Sequence, residues 1–268
     1  SATLLAGGGV GVLLALPLGS LVLKLGWVAE PVAGHWERTW SPGHAAAILV
    51  HVPVEFAEEW WWTGLLSALT ATLVTVGVVP LAWWARRSPA RAAVGLGLAA
   101  LVAAVPGPYF AVLVLVGRVR WGGPGFDWLA EQTVLLPVVV LALRAVPVCG
   151  ALAWQACRTV SPSMLEVAEL AGGSPWRRWW QVVWPSRRRA FLAVWLCGWC
   201  LAAGDVATTI LLVPPRVSTV AVRTFQLVHA GVDDRLAGLS LWTWLGYAML
   251  AWGVVRLLRR DAEREGGA

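Results

Sequence analysis

The chain has 268 residues, of which 58% are hydrophobic and only 13% charged, with a mean hydropathy of +0.68. Soluble globular domains carry about 25% charged residues, so this composition excludes one and indicates an integral membrane protein with room for about six spans of roughly 20 residues. The formal charge of +6 does not indicate a nucleic-acid partner, because no basic face with interleaved stacking aromatics stands clear of the apolar segments.

In chain order, the apolar runs cover residues 2–26, 64–84, 92–117, 133–154, 190–213 and 236–258. The expected fold class is therefore all-α and polytopic. Residues 1–63 read as a first span with an external segment, and 64–268 as a core of five spans that includes a polar loop over 158–189. The chain opens on Ser1 with no initiator Met, which suggests a portion of a longer polypeptide. The external segment holds His35, His44, His51, Glu55, Glu58 and Glu59. His51 and Glu55 have i, i+4 spacing, but one such pair is too few ligands for a metal centre, so no metal is expected there and the segment reads as a solvated acidic surface or a docking surface for another protein.

Many of the 20 Trp sit near span ends, among them Trp83, Trp84, Trp121, Trp242 and Trp244, where amphipathic rings favour the headgroup layer. Pro106-Gly107-Pro108, Pro137 and Pro147 interrupt the middle spans and should kink them, at packed or pathway-lining helices. Arg144 and Asp205 are the base and the acid placed well inside spans. Burying either is costly, so they read as a structural pair or as part of a pathway, with Thr208 and Thr209 as hydrogen-bonding neighbours. Cys197 and Cys200 have redox-motif spacing but lie in mid-span, where small apolar packing residues are the better reading. No Walker A sequence and no nucleophile-elbow or HExxH pattern occurs, so the chain is not expected to be an enzyme or to hold a nucleotide cofactor.

Basic residues set the expected orientation. Arg86, Arg87 and Arg91, then the arginines from Arg158 to Arg189, then Arg256 to Arg264 fall in alternate connections, which places those connections and both termini in the cytoplasm. The loop within this set is SPSMLEVAELAGGSPWRRWWQVVWPSRRR, Ser161 to Arg189. Ser161-Pro162 starts a short helix with Met164, Leu165, Ala168 and Ala171 on one face, and Gly172-Gly173 stops it. Ser174-Pro175 starts a second helix, which Pro185 should end.

The order Glu166-Val167-Ala168, then Gly172, then Val182-Val183-Trp184-Pro185 resembles the EAA loop of bacterial binding-protein-dependent ABC importer permeases, in register throughout. The run from Gly204-Asp205 through Pro214-Pro215-Arg216, followed by Thr219 to Arg223, resembles the fifth span and external loop of the ferric-iron type, with the MetI-like permease fold. Asp205 stands where that pattern has Glu, Val167 where it has Ala, and Trp184 where it has Leu.

The resemblance implies an inner-membrane permease surrounded by lipid, with a second permease half (a copy, a fused half or a different subunit) and a periplasmic binding protein. It also implies an ATP-binding subunit docked on the loop through Glu166, Ala168, Gly172, Val182 and Pro185, with ATP used by that partner. Ferric iron is the implied cargo, with thiamine, sulfate, polyamine and phosphonate as alternatives. From the residues alone, an ion-coupled secondary transporter built on Asp205 and a non-transporting membrane scaffold remain open.

Overall fold

The computed structural model describes residues 15–32, 35–172 and 174–266. The chain is an all-α polytopic membrane protein with one two-stranded hairpin. In order, it runs through α1 (Ala15–Leu25), β1 (Trp27–Val32), β2 (His35–Trp40), α2 (Pro42–Glu55), α3 (Ala57–Ala85), α4 (Pro89–Ala104), α5 (Gly107–Trp121) and α6 (Pro124–Gln132). It continues through α7 (Leu135–Arg158), α8 (Pro162–Leu170), α9 (Pro175–Arg178), a π-helix (Trp179–Val183), α10 (Trp184–Ala203), α11 (Val206–Leu212), α12 (Val220–Ala230) and α13 (Asp233–Gly266).

Among the described residues, three helices, α3, α7 and the Asp233–Arg256 part of α13, are long and apolar enough to cross a membrane, and the number rises to five if each of two bent pairs is one span. The first expected span, 2–26, lies mostly outside the described residues. The spans expected over 92–117 and 190–213 are not straight: α4 and α5 meet at 83°, and the α9-to-α10 rod meets α11 at 65°.

The causes of the two bends differ. At the first, Val105 precedes Pro106 and takes extended angles (φ −89°, ψ 119°), because the proline ring excludes the helical region for its predecessor. At the second, no proline intervenes. Asp205 is extended (φ −83°, ψ 107°) and its carboxylate accepts from the Thr208 backbone N–H at 2.6 Å, so it caps α11 instead of lying within a helix. Pro137 sits in the first turn of α7, where a missing N–H costs nothing, so the kink expected there does not form, while Pro147 lies inside the helix.

Two compact units divide the chain, one of residues 1–63 with 218–248 and the other of 64–217 with 249–268. In the first, the antiparallel hairpin pairs Trp27 with Trp40 and Val32 with His35. Val52, Phe56, Val220, Leu227 and Leu239 form its core. Gly238 lets α13 approach α2 closely: a Cβ there would stand 2.8 Å from Ile48 and 3.0 Å from Val52. The Thr63 hydroxyl accepts from the Val220 N–H at 2.9 Å. Of the acidic residues on this segment, Glu55 pairs with Arg235 at 2.6 Å.

The second unit is built around α7, whose buried residues Ala142, Ala145, Cys149, Ala153, Ala156 and Cys157 pack with Val74, Val78, Phe191 and Val194. Small side chains allow this close helix packing, as is usual where no hydrophobic effect separates helix from lipid. Cys149 and Cys157 are free thiols in that core.

Candidate functional site

The second unit carries polar groups at two places. The first is where the two bends meet α7. Arg144 pairs with Asp205 and also donates to the Thr208 hydroxyl at 3.2 Å. Thr208 and Thr209 are buried, and the Thr209 hydroxyl donates to the Asp205 and Val206 carbonyls. The same guanidinium lies against Gly107, where any added Cβ would collide with it. Arg144 thus touches the start of α5 and the start of α11 together, and the two bends are held by one cation. All four intramembrane residues singled out in the sequence come together here. Gly107 completes the group and was legible only as part of a proline signal.

Ala111, Val140 and Leu212 pack as an apolar cluster of α5, α7 and α11. A cavity of about 360 Å³ lies at the far end of these helices, lined by Leu115, Arg118, Glu131, Gln132, Leu212 and Arg216 among others. Arg118 is already engaged by Asp127 at 2.8 Å and by Glu131.

The second place is the loop at the opposite end of α7. Helix α8 stops at Ala171, and Gly172 takes φ +74°, the left-handed region that costs a side chain strain and glycine none. Gly173 lies outside the described residues. Ser174 then caps α9 by accepting from the Arg177 N–H, and Arg178 pairs with Glu169 at 2.8 Å across the turn. The helix-turn-helix of the sequence reading is present, with two corrections.

Leu165 is the member of the expected apolar face that packs on the unit's core, whereas Met164, Val167 and Leu170 are 51%, 67% and 88% exposed and form an outward ridge at i, i+3, i+6. Pro185 does not end the second helix. The chain widens into the π-helix, in which the Trp184 N–H reaches back five residues to the Trp179 carbonyl, and Pro185 enters the first turn of α10. A wide turn ahead of a proline accommodates the ring that a regular helix would reject.

Glu166 is exposed and makes no ion pair among the described residues. Ala168 is half-buried, and Val183 rather than Val182 is the valine fully buried beside the core. Stacking of Trp179 on Phe191 and an edge contact of Trp83 with Trp179 anchor the π-helix.

The arginine-rich connections share this end. Arg86 donates to the Cys157 carbonyl at 3.3 Å and lies over the Trp83 ring at 4.0 Å, and Arg187 donates to the Thr159 carbonyl. Burial lowers the Arg86 pKa from its ordinary value, and neighbouring Arg87 acts in the same direction.

No family model matches the chain. Over 177 residues, 62% of this chain and 77% of the other, it is 27% identical to a molybdenum transport system permease protein, ModB, of Azotobacter vinelandii. That similarity supports a transport permease rather than an enzyme, in keeping with the apolar, multi-pass helices.

Proposed function

We propose that the chain is the membrane permease subunit of a binding-protein-dependent ABC importer, with both termini and the α8–α9 loop in the cytoplasm. The observation that carries this reading is the loop: two short helices on either side of Gly172 at the arginine-rich end, with an outward apolar ridge and a Glu166 that has no ion pair among the described residues. An exposed ridge beside a fixed charge fits a protein partner, and similarity to a transport permease makes an ATP-hydrolysing subunit the natural one. A second permease half and a periplasmic binding protein complete the assembly. Asp205 and Arg144, with Thr208 and Thr209, would border the translocation path at the bends of α5 and α11. An ion-coupled transporter would need an Asp205 able to exchange its proton freely, and its pairing with Arg144 supports the ATP-driven reading instead.

Ferric iron is the cargo suggested by the Pro214-Pro215-Arg216 segment, and molybdenum is a second reading favoured by the relative's transport system. The test is affinity purification of the tagged chain from its native membrane. A nucleotide-binding subunit should copurify with the wild type and be lost with Glu166→Lys. Absence of such a subunit from the wild type would sink the proposal. Uptake of radioactive iron against radioactive molybdenum by cells with and without the chain decides the cargo.

A further inference from the structure

A groove of about 590 Å³ runs along α3 beside the π-helix, lined by Val76, Val79, Pro80, Trp83 and the Trp176-to-Trp184 ladder, with Arg87 at its rim. Its walls are tryptophan and aliphatic. Trp176 and Trp180 meet edge to face at 5.6 Å, Trp180 and Trp184 lie 5.7 Å apart, and all three rings are exposed. The cation is of the opposite character. Arg87 is exposed and its guanidinium makes no hydrogen bond or ion pair among the described residues, whereas adjacent Arg86 is held by Trp83 and the Cys157 carbonyl.

Position and length narrow the occupant. The lining runs along α3 from Thr75 to Trp83, about 12 Å at 1.5 Å per residue, and reaches Arg87 two residues past the helix end at Ala85. That is close to the roughly 15 Å depth of one leaflet's hydrocarbon, and α3 is one of the helices apolar and long enough to cross the bilayer. An apolar trough one leaflet deep, with aromatic rings near its mouth and a lone guanidinium at its rim, has the charge and shape of an anionic lipid. The acyl chain lies along the tryptophans and the phosphate meets Arg87.

The geometry points to a site for an anionic phospholipid in this groove, bracing α3 against the π-helix that joins the projecting loop to α10. The inference needs only that α3 spans the membrane and is independent of the importer reading.

The full chain is reconstituted in nanodiscs of mixed phosphatidylcholine and phosphatidylglycerol, and the lipid retained on release is counted by native mass spectrometry. The wild type should retain phosphatidylglycerol in preference to phosphatidylcholine. Arg87→Gln should cut that preference about fivefold, the weight of one interfacial cation, without changing phosphatidylcholine. Trp180→Ala should lower retention of both, and Arg216→Gln, at the other end of the unit, should change neither. No preference in the wild type, or an unchanged preference in Arg87→Gln, overturns the site. So does a wild-type dimer that carries no lipid and dissociates on Trp180→Ala, which would make the groove an interface between copies. Should Trp180→Ala fail to insert, Arg87→Gln alone decides.

Discussion

The two polar places of the second unit handle their charges in opposite ways. Around Arg144 the Asp205 and Thr208 side chains find their partner in the same chain, whereas on the α8–α9 projection Glu166 and the ridge of Met164, Val167 and Leu170 face outward and find none among the described residues. In a membrane protein the first arrangement is what burial demands, since an unpaired ion in the bilayer is costly. The second makes no such demand on this chain, and in the proposed reading it is a surface offered to a partner subunit. Substitutions in the first region should therefore cost stability, whatever else they do to a path, and those in the second should change association.

Gly107→Val should break that distinction most visibly if it is wrong. A branched side chain would occupy the space of the Arg144 guanidinium, displacing the one cation that joins both bends, and the expected result is loss of folded protein after detergent extraction. Next in size is Asp205→Asn, which leaves Arg144 facing a neutral partner and should cost on the order of 3 kcal/mol, seen as a lower melting temperature. Adding Arg144→Gln should recover part of that loss. A double variant no more stable than the single one would show that the pair is not the unit that matters.

Gly172→Val forces a β-branched residue into the left-handed region and should cost about 1–3 kcal/mol, confined to the loop, so that membrane insertion is kept while copurification of a nucleotide-binding subunit is lost. Glu166→Lys should leave the stability within about 0.5 kcal/mol of wild type and still abolish that copurification. In a background lacking the native cysteines, single cysteines at Arg178 and at Asp127 should label from opposite faces, Arg178 from the cytoplasm. Labelling of both from one face would dissolve the contrast between the two ends.

Much of this was legible because it rests on local rules. Gly172 was readable as a positive-φ stop, Ser161-Pro162 and Ser174-Pro175 as helix starts, and Pro106-Gly107-Pro108 as an interruption, since each acts through its own backbone. The bend at Gly204-Asp205 was not read, because an apolar run around an Asp looks like a span with a buried acid, and the capping role shows only once the Thr208 N–H is in place. Pro185 misled for the complementary reason. The rule that proline ends a helix assumes a regular turn before it, and the π-helix supplies an irregular one, held by Phe191 nearby and by Trp83 far off in sequence. The closeness of Gly107 to Arg144 depends on two helices meeting and has no local signature.

Because Pro185 does not interrupt it, the helical path from Pro175 to Ala203 is one rod, roughly 43 Å long at 1.5 Å per residue. One end carries the turn after Gly172 and the other stops at Gly204, one residue before the Asp205 that Arg144 holds. By geometry alone, a rigid tilt of about 5° about Pro175 corresponds to nearly 4 Å at the Gly204 end, more than the reach of the hydrogen bond between Arg144 and Thr208. The loop end and the Asp205 bend are thus tied by one lever arm, so the position of one constrains the position of the other.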